Sequence, residues 1–185
     1  LRELRLNEVS VVGFAFGAAV AMTLAARGNR SLARLVNVGV PSAEASPYEK
    51  MPRSMRRDWP DFAKRSAVAL FHNRQSDATL QWVERMFASA PLQVAIETVG
   101  ELARFDAVAL CSRIAADQVF VQGSADAVAP LTLAQACVEA SPRARIEMIE
   151  PSGHLIVLDA KDAFNDLLET LLDRHQTPAT TGPAS

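Results

Sequence analysis

Three runs of this chain are apolar on both faces, the pattern of strands buried inside a parallel sheet. They are EVSVVGF (residues 8–14), LARLVNVGV (32–40, ended by Pro41) and QVFVQG (118–123). RIEMIE (145–150) reads as a fourth strand. Between the first two, FGAAVAMTLAAR (16–27) has the small-sided pattern of a packed helix, and Gly28 is placed to stop it. Strand, helix and strand in so short a span make a βαβ unit and imply a parallel sheet. PLTLAQACVEAS (130–141) reads as a helix that Pro130 opens. KDAFNDLLETLLDR (161–174) is an amphipathic closing helix with Phe164, Leu167, Leu168, Leu171 and Leu172 on one face. LRELRLN (1–7) reads as the last turns of a helix.

The character changes between residues 42 and 105. Prolines stand at 47, 52, 60 and 91, no strand signal occurs, and patterns such as RRDWPDFAKRSAVALFHNR and DATLQWVERMFASA are helical. This stretch is expected to be an insertion of three or four helices. The expected organisation is an α/β core over 1–41 and 106–174, the insertion over 42–105, and a disordered tail over 175–185, where HQTPATTGPAS is polar and rich in Pro, Gly and Thr.

Composition narrows the function classes. Hydrophobic residues make up 49% of the 185 and charged residues 22%, ordinary values for one globular domain with a real core. The formal net charge of −2 gives no broad basic field for nucleic acid or an anionic membrane, and no apolar run is long enough to span a bilayer. Cys111 and Cys137 form no CxxC pattern, so free buried thiols and a reducing, cytoplasmic compartment are expected. No Gly-rich phosphate loop and no Cys/His metal spacing occur, so no metal or organic cofactor is implied.

Three short segments carry the candidate chemistry. In Gly13–Phe14–Ala15–Phe16–Gly17 a buried strand turns sharply into a helix. The flanking glycines supply room for a strained centre, and the central side chain is exposed at the strand's carboxyl end. The Phe16 amide points to where an oxyanion would form, helped by the helix dipole. In QGSADAVAP (122–130), Asp126 follows a buried strand at the sheet's carboxyl edge, where it could orient an imidazole or simply cap the next helix. In EPSGHLIVLDAKDAF (150–164), His154 follows the fourth strand. Of the other two histidines, His72 falls in the helical insertion and His175 in the tail, and neither is expected to be catalytic.

The order of nucleophile position, acid and histidine, each after its own strand, resembles that of the α/β-hydrolases throughout residues 1–174. The matching segments are VVGFAFGAA, VFVQGSADAVAP and PSGHLIVLD. The resemblance implies an α/β fold with a mostly parallel sheet, Asp126 as triad acid, His154 as general base, and Phe16 as an oxyanion amide. It also implies that residues 42–105 form a cap over the site.

Two departures matter. The family's nucleophile is serine, whereas Ala15 has nothing to attack with, and loss of that nucleophile costs on the order of a million-fold in turnover. Either serine has been replaced in an otherwise intact enzyme, or the loss is natural and a binding protein remains. Second, family members carry several strands before the elbow, one of which leads to the other oxyanion amide. Without them VSVVGF would be a long, apolar, unpaired edge. A second polypeptide is therefore expected to supply the first strands; the alternative is upstream residues of the same chain, preceding Leu1.

Trp59, Phe62, Phe71, Trp82, Met86 and Phe87 in the insertion, with Phe14 at the elbow, are candidates for an apolar acyl pocket or for plain helix packing. Arg53, Arg56 and Arg57 would meet a substrate carboxylate, a phosphopantetheine arm or an acidic carrier protein, or form a solvated helix face. The resulting expectation is an enzyme acting on an ester or thioester of an apolar acyl chain, free, carrier-linked or CoA-linked, by hydrolysis or acyl transfer. The rivals are an inactive subunit that binds a ligand or partner, and a non-covalent cyclisation or rearrangement catalyst.

Overall fold

A computed structural model describes residues 3, 5–28, 31–43 and 48–173. The expectations for the tail 175–185 and for His175 lie outside these residues. The apolar runs form four strands, β1 (Val9–Phe14), β2 (Leu32–Val38), β3 (Asp117–Gly123) and β4 (Ala144–Ile149). They pair in parallel in the order β1-β2-β3-β4. Side chains alternate across the sheet. Leu35 and Phe120 face a core built with α1 (Phe16–Ala26), α6 (Ala107–Cys111) and α7 (Leu131–Ala140). Val36, Val38, Val119 and Val121 face the other side, against α8 (Ile156–Asp159) and α9 (Lys161–Asp173), where Ile156, Phe164 and Leu171 are buried. Covering both faces explains why these strands read as continuous apolar runs.

Helix α1 stops as its sequence demands. Gly28 takes φ 79°, and its N–H donates to the Ala25 carbonyl at 3.1 Å. The expected helix over residues 1–7 is not formed in its described part. Glu3 and Arg5 lie in turns, residues 6 and 7 are irregular, and Arg5 and Glu8 have φ of 51° and 54°. Positive φ at non-glycine residues breaks the helical path. The second strand is also shorter than expected: it ends at Val38 because Gly39 turns to φ 56°.

Between β2 and α6 the described residues form a 3-10 turn (Tyr48–Lys50) and four helices: α2 (Met51–Arg57), α3 (Trp59–Ala69), α4 (Asp77–Ser89) and α5 (Leu92–Leu102). The pattern RRDWPDFAK, which reads as one helix, is broken at Asp58. That residue is extended (φ −159°, ψ 95°), and its carboxylate accepts the Asp61 N–H at 3.0 Å as the α3 cap. Pro60 in the first turn has no N–H to lose there, whereas inside a continuous helix it would break the ladder. The segment's two ends meet at Phe105, whose carbonyl accepts the Ala43 N–H (2.9 Å) and the Ser42 hydroxyl (3.2 Å).

Among the described residues strand β1 is an edge, bonded only to β2. Its outer side is apolar and open: Val12 is 42% exposed, and beyond it Phe16, Val20 and Leu24 form an exposed stripe at i, i+4 and i+8 on α1. A cavity of about 430 Å³ lies along this stripe, closed by Leu102 and Phe105 and rimmed by Arg27 and Glu101. Both cysteines are free and buried. Although far apart in sequence they meet in the core, where the Cys111 thiol donates to the Cys137 carbonyl at 3.1 Å. The hydrogen bond from Cys111, and then burial, push the Cys137 thiol up, the direction of an unreactive sulfur. Among the described residues no helix is long and apolar enough to cross a membrane.

Candidate active site

All four strands end at one rim, and each delivers one part of the candidate site just beyond its carboxyl end. After β1 comes Ala15, with φ 47° and ψ −117°. A non-glycine residue in that region stores strain on the order of 1–3 kcal/mol, which surrounding contacts must hold. Three contacts hold it here. The Ala15 N–H donates to the Val38 carbonyl at 2.9 Å, and its own carbonyl accepts the N–H groups of Ala18 (2.9 Å) and Ala19 (3.3 Å). The helix then starts at Phe16, so the first amides of α1 have no intrahelical acceptor and remain available to an anion.

The two elbow glycines differ. A Cβ on Gly13 would lie 2.6 Å from the Ala18 Cα, so strand and helix close only over glycine. A Cβ on Gly17 would meet nothing within 4 Å among the described residues, so the expected crowding is not found there. Gly17 begins the α1 face that looks away from this chain's own core, and it is itself exposed.

After β3, the loop brings Asp126 to within 9% of full burial. Its Oδ1 accepts the N–H groups of Val128 and Ala129, both at 2.8 Å, which fixes the carboxylate plane. Its Oδ2 meets His154 Nδ1 at 2.9 Å, in a contact where both side chains are almost fully buried. Because a carboxylate oxygen accepts, Nδ1 carries the hydrogen, and in the neutral ring Nε2 is then the nitrogen with the lone pair. Among the described residues this is the ring's hydrogen bond, which leaves Nε2 for other work. Phe14 packs on the imidazole, with ring centroids 5.4 Å apart and planes tilted by 40°. Tyr48 is buried within the electrostatic reach of Asp126. Burial first, and then the nearby Asp126 charge, push its hydroxyl up to about 12, so it is protonated at neutral pH.

After β2 comes Gly39, which carried no role in the sequence reading. A Cβ there would stand 2.9 Å from His154 Cε1 and 3.0 Å from Nδ1. With φ 56° the position is also strained for any L side chain. Gly39→Ala is therefore expected to push the imidazole off Asp126. An error of about 1 Å at the reacting groups is worth on the order of 10²-fold in rate. Ester hydrolysis in an Ala15→Ser background, compared with and without Gly39→Ala, checks this.

The aromatic candidates are dispersed. Trp59 and Phe62 stack on each other, with centroids 5.8 Å apart. Trp82 is 47% exposed and Met86 55%, both on the outer face of α4, while Phe71 and Phe87 are half-buried. None of them lines the cavity beside α1, although Phe16 does. Arg53, Arg56 and Arg57 are all exposed on α2. His72 touches the site only indirectly: its side chain is exposed and its backbone N–H donates to Asp159 at 2.8 Å. Among the described residues no cluster of His, Cys, Asp and Glu is disposed to hold a metal.

The fold matches known proteins. The family model described as the alpha/beta hydrolase family matches residues 1–167, and the chain belongs to that family. Solved structures repeat the fold. An esterase from Exiguobacterium antarcticum superposes with a TM-score of 0.86 at 21% identity, over 93% of this chain and 69% of that one. A bromoperoxidase from Bacillus anthracis does so at 0.84 and 18% identity, over 94% and 70%. The enol-lactonase from Burkholderia xenovorans gives 0.81 at 15% identity, over 92% and 67%. No curated protein sequence matches the chain.

Proposed function

We propose that the site is a serine-hydrolase-type acyl-transfer centre whose nucleophile position holds Ala15, with His154 as general base and Asp126 as its orienting acid. The observation that carries this reading is the buried 2.9 Å contact between His154 Nδ1 and Asp126 Oδ2, with Nε2 left over. A buried histidine held only for packing needs partners at both ring nitrogens, whereas a proton relay needs Nδ1 fixed and Nε2 left over. With serine at position 15, Oγ would attack the acyl carbon, Nε2 would take the proton, and the Phe16 amide would bind the oxyanion. As it stands the chain binds its acyl substrate without covalent turnover. Phe14, which packs on the His154 ring, supports an ester or thioester with an apolar acyl chain, and the two free thiols support a reducing compartment. The test is fluorophosphonate labelling of the Ala15→Ser protein, lost again when His154 is removed. One observation favours a second reading, a ligand-binding subunit or non-covalent catalyst: Ala15 itself. In that case the variant binds ligand but is not labelled.

The reading includes a second polypeptide that adds a strand parallel to β1 and covers Phe16, Val20 and Leu24. It is supported by the open apolar edge, by the groove along α1, and by the chain spanning 69% of the esterase's length. That polypeptide would also bring the other oxyanion donor, a group worth on the order of 10²–10³ in rate. One longer polypeptide on a denaturing gel would mean that the strand lies upstream in the same chain; the expected result is two different polypeptides in an assembly whose β1 amides are protected from exchange. Val12→Lys with Val20→Lys should dissociate it. A stable 20.0 kDa monomer with an apolar edge that tolerates both lysines would contradict this.

A further inference from the structure

We infer that Asp159 is a positioning residue that locks the His154 loop and the turn between α3 and α4 into one rigid unit, so that the cap cannot move without moving the imidazole. The inference rests on the role of His154 proposed above. Asp159 closes α8 and gathers N–H groups from two separate parts of the chain. Its Oδ2 accepts from Gly153 (2.7 Å), the residue before His154, and from the His72 backbone (2.8 Å). Its Oδ1 accepts from the Asn73 backbone (3.0 Å) and from Gln75 Nε2 (3.0 Å). The Asn73 side-chain amide then bridges the Asp159 carbonyl (3.2 Å) and the Pro151 carbonyl (3.0 Å).

The residue after His154 is tied in the same way, since the Leu155 N–H donates to the Leu70 carbonyl at 3.0 Å. Packing leaves no slack. A Cβ on Gly153 would lie 2.7 Å from the His72 nitrogen and 2.9 Å from the Leu70 oxygen. Both chain neighbours of His154 are thus fixed to Asp159 or to the end of α3. Among the described residues no Lys or Arg forms an ion pair with Asp159. Its charge is met by N–H groups that belong to the two elements it joins.

Four donors need two acceptor oxygens with two lone pairs each, and only a carboxylate supplies them. Asp159→Asn replaces one oxygen with an NH₂ group that faces two N–H donors. In the complete protein, this variant is expected to speed amide exchange at Gly153, His72 and Asn73 by tenfold or more while β2 and β3 amides stay protected. In the Ala15→Ser background the maximal rate of phosphonylation should also fall at least tenfold, with the fluorophosphonate's apparent affinity unchanged. A purely structural loss would not split the two constants this way. Folded Asp159→Asn protein with unchanged exchange at those three amides, or with an unchanged labelling rate, overturns the inference. If Asp159→Asn does not fold, Asn73→Ala, which removes only the side-chain bridge, must shift both readouts in the same direction. If the Ala15→Ser parent is not labelled at all, the triad reading fails, and the exchange result alone decides whether Asp159 couples the two elements.

Discussion

Ala15→Ser in the complete protein is expected to raise hydrolysis of a simple activated ester by on the order of 10⁶-fold, and His154→Ala in the same background is expected to erase the gain. The reason is that the strained turn and the His–Asp pair are already formed. The backbone at residue 15 is held at φ 47°, ψ −117° by the Val38 carbonyl and by the first turn of α1. The serine inherits that strain and adds only one oxygen at the helix N-terminus. Nε2 of His154 is the unshared nitrogen of a ring already fixed through Nδ1. Initial rates for parent, single variant and double variant at one pH decide the matter. A gain of less than tenfold, or one that survives the loss of His154, contradicts the relay.

The second large effect concerns the acid. In the Ala15→Ser protein, Asp126→Asn is expected to cost on the order of 10⁴-fold in turnover, the scale of the corresponding change in a well-studied serine protease. The hydrogen-bond pattern makes the outcome directional. The Oδ1 position accepts two backbone N–H groups at 2.8 Å, so an asparagine must turn its carbonyl oxygen to them. Its NH₂ group then faces His154 Nδ1, which must give up its hydrogen and become the acceptor. The proton moves to Nε2, and an imidazole protonated there cannot take one from serine. Because both backbone bonds survive, the melting temperature should change little. Steady-state kinetics beside a melting curve separate the two effects.

The rim of the sheet was legible in the sequence because its signals are local. A strand buried on both faces is a continuous apolar run, and Ala15, Asp126 and His154 each follow such a run within a few residues. What stayed hidden depends on partners distant in the chain. Asp159 stands near a helix start, where an acidic residue usually means a cap, and its donors His72 and Gln75 are 87 and 84 residues away. Gly39 ends a strand, a place where glycine needs no special reason, until the imidazole arrives from the fourth strand. The break at Asp58 was masked by helix-compatible residues on both sides, although Pro60 marked it. The scatter of the aromatic residues of segment 42–105 has a simpler reason. Composition names them, but only packing decides which face they occupy, and Trp82 and Met86 face outward.

The measurement that bears most directly on the whole account is the position of the covalent adduct. The complete Ala15→Ser protein, treated with a fluorophosphonate and read by peptide mass spectrometry, should carry one phosphonyl group on the introduced serine, and none when His154 is alanine. An unmodified elbow peptide in a folded protein, or modification that ignores His154, would mean that the strained turn and the His–Asp pair do not form a working centre.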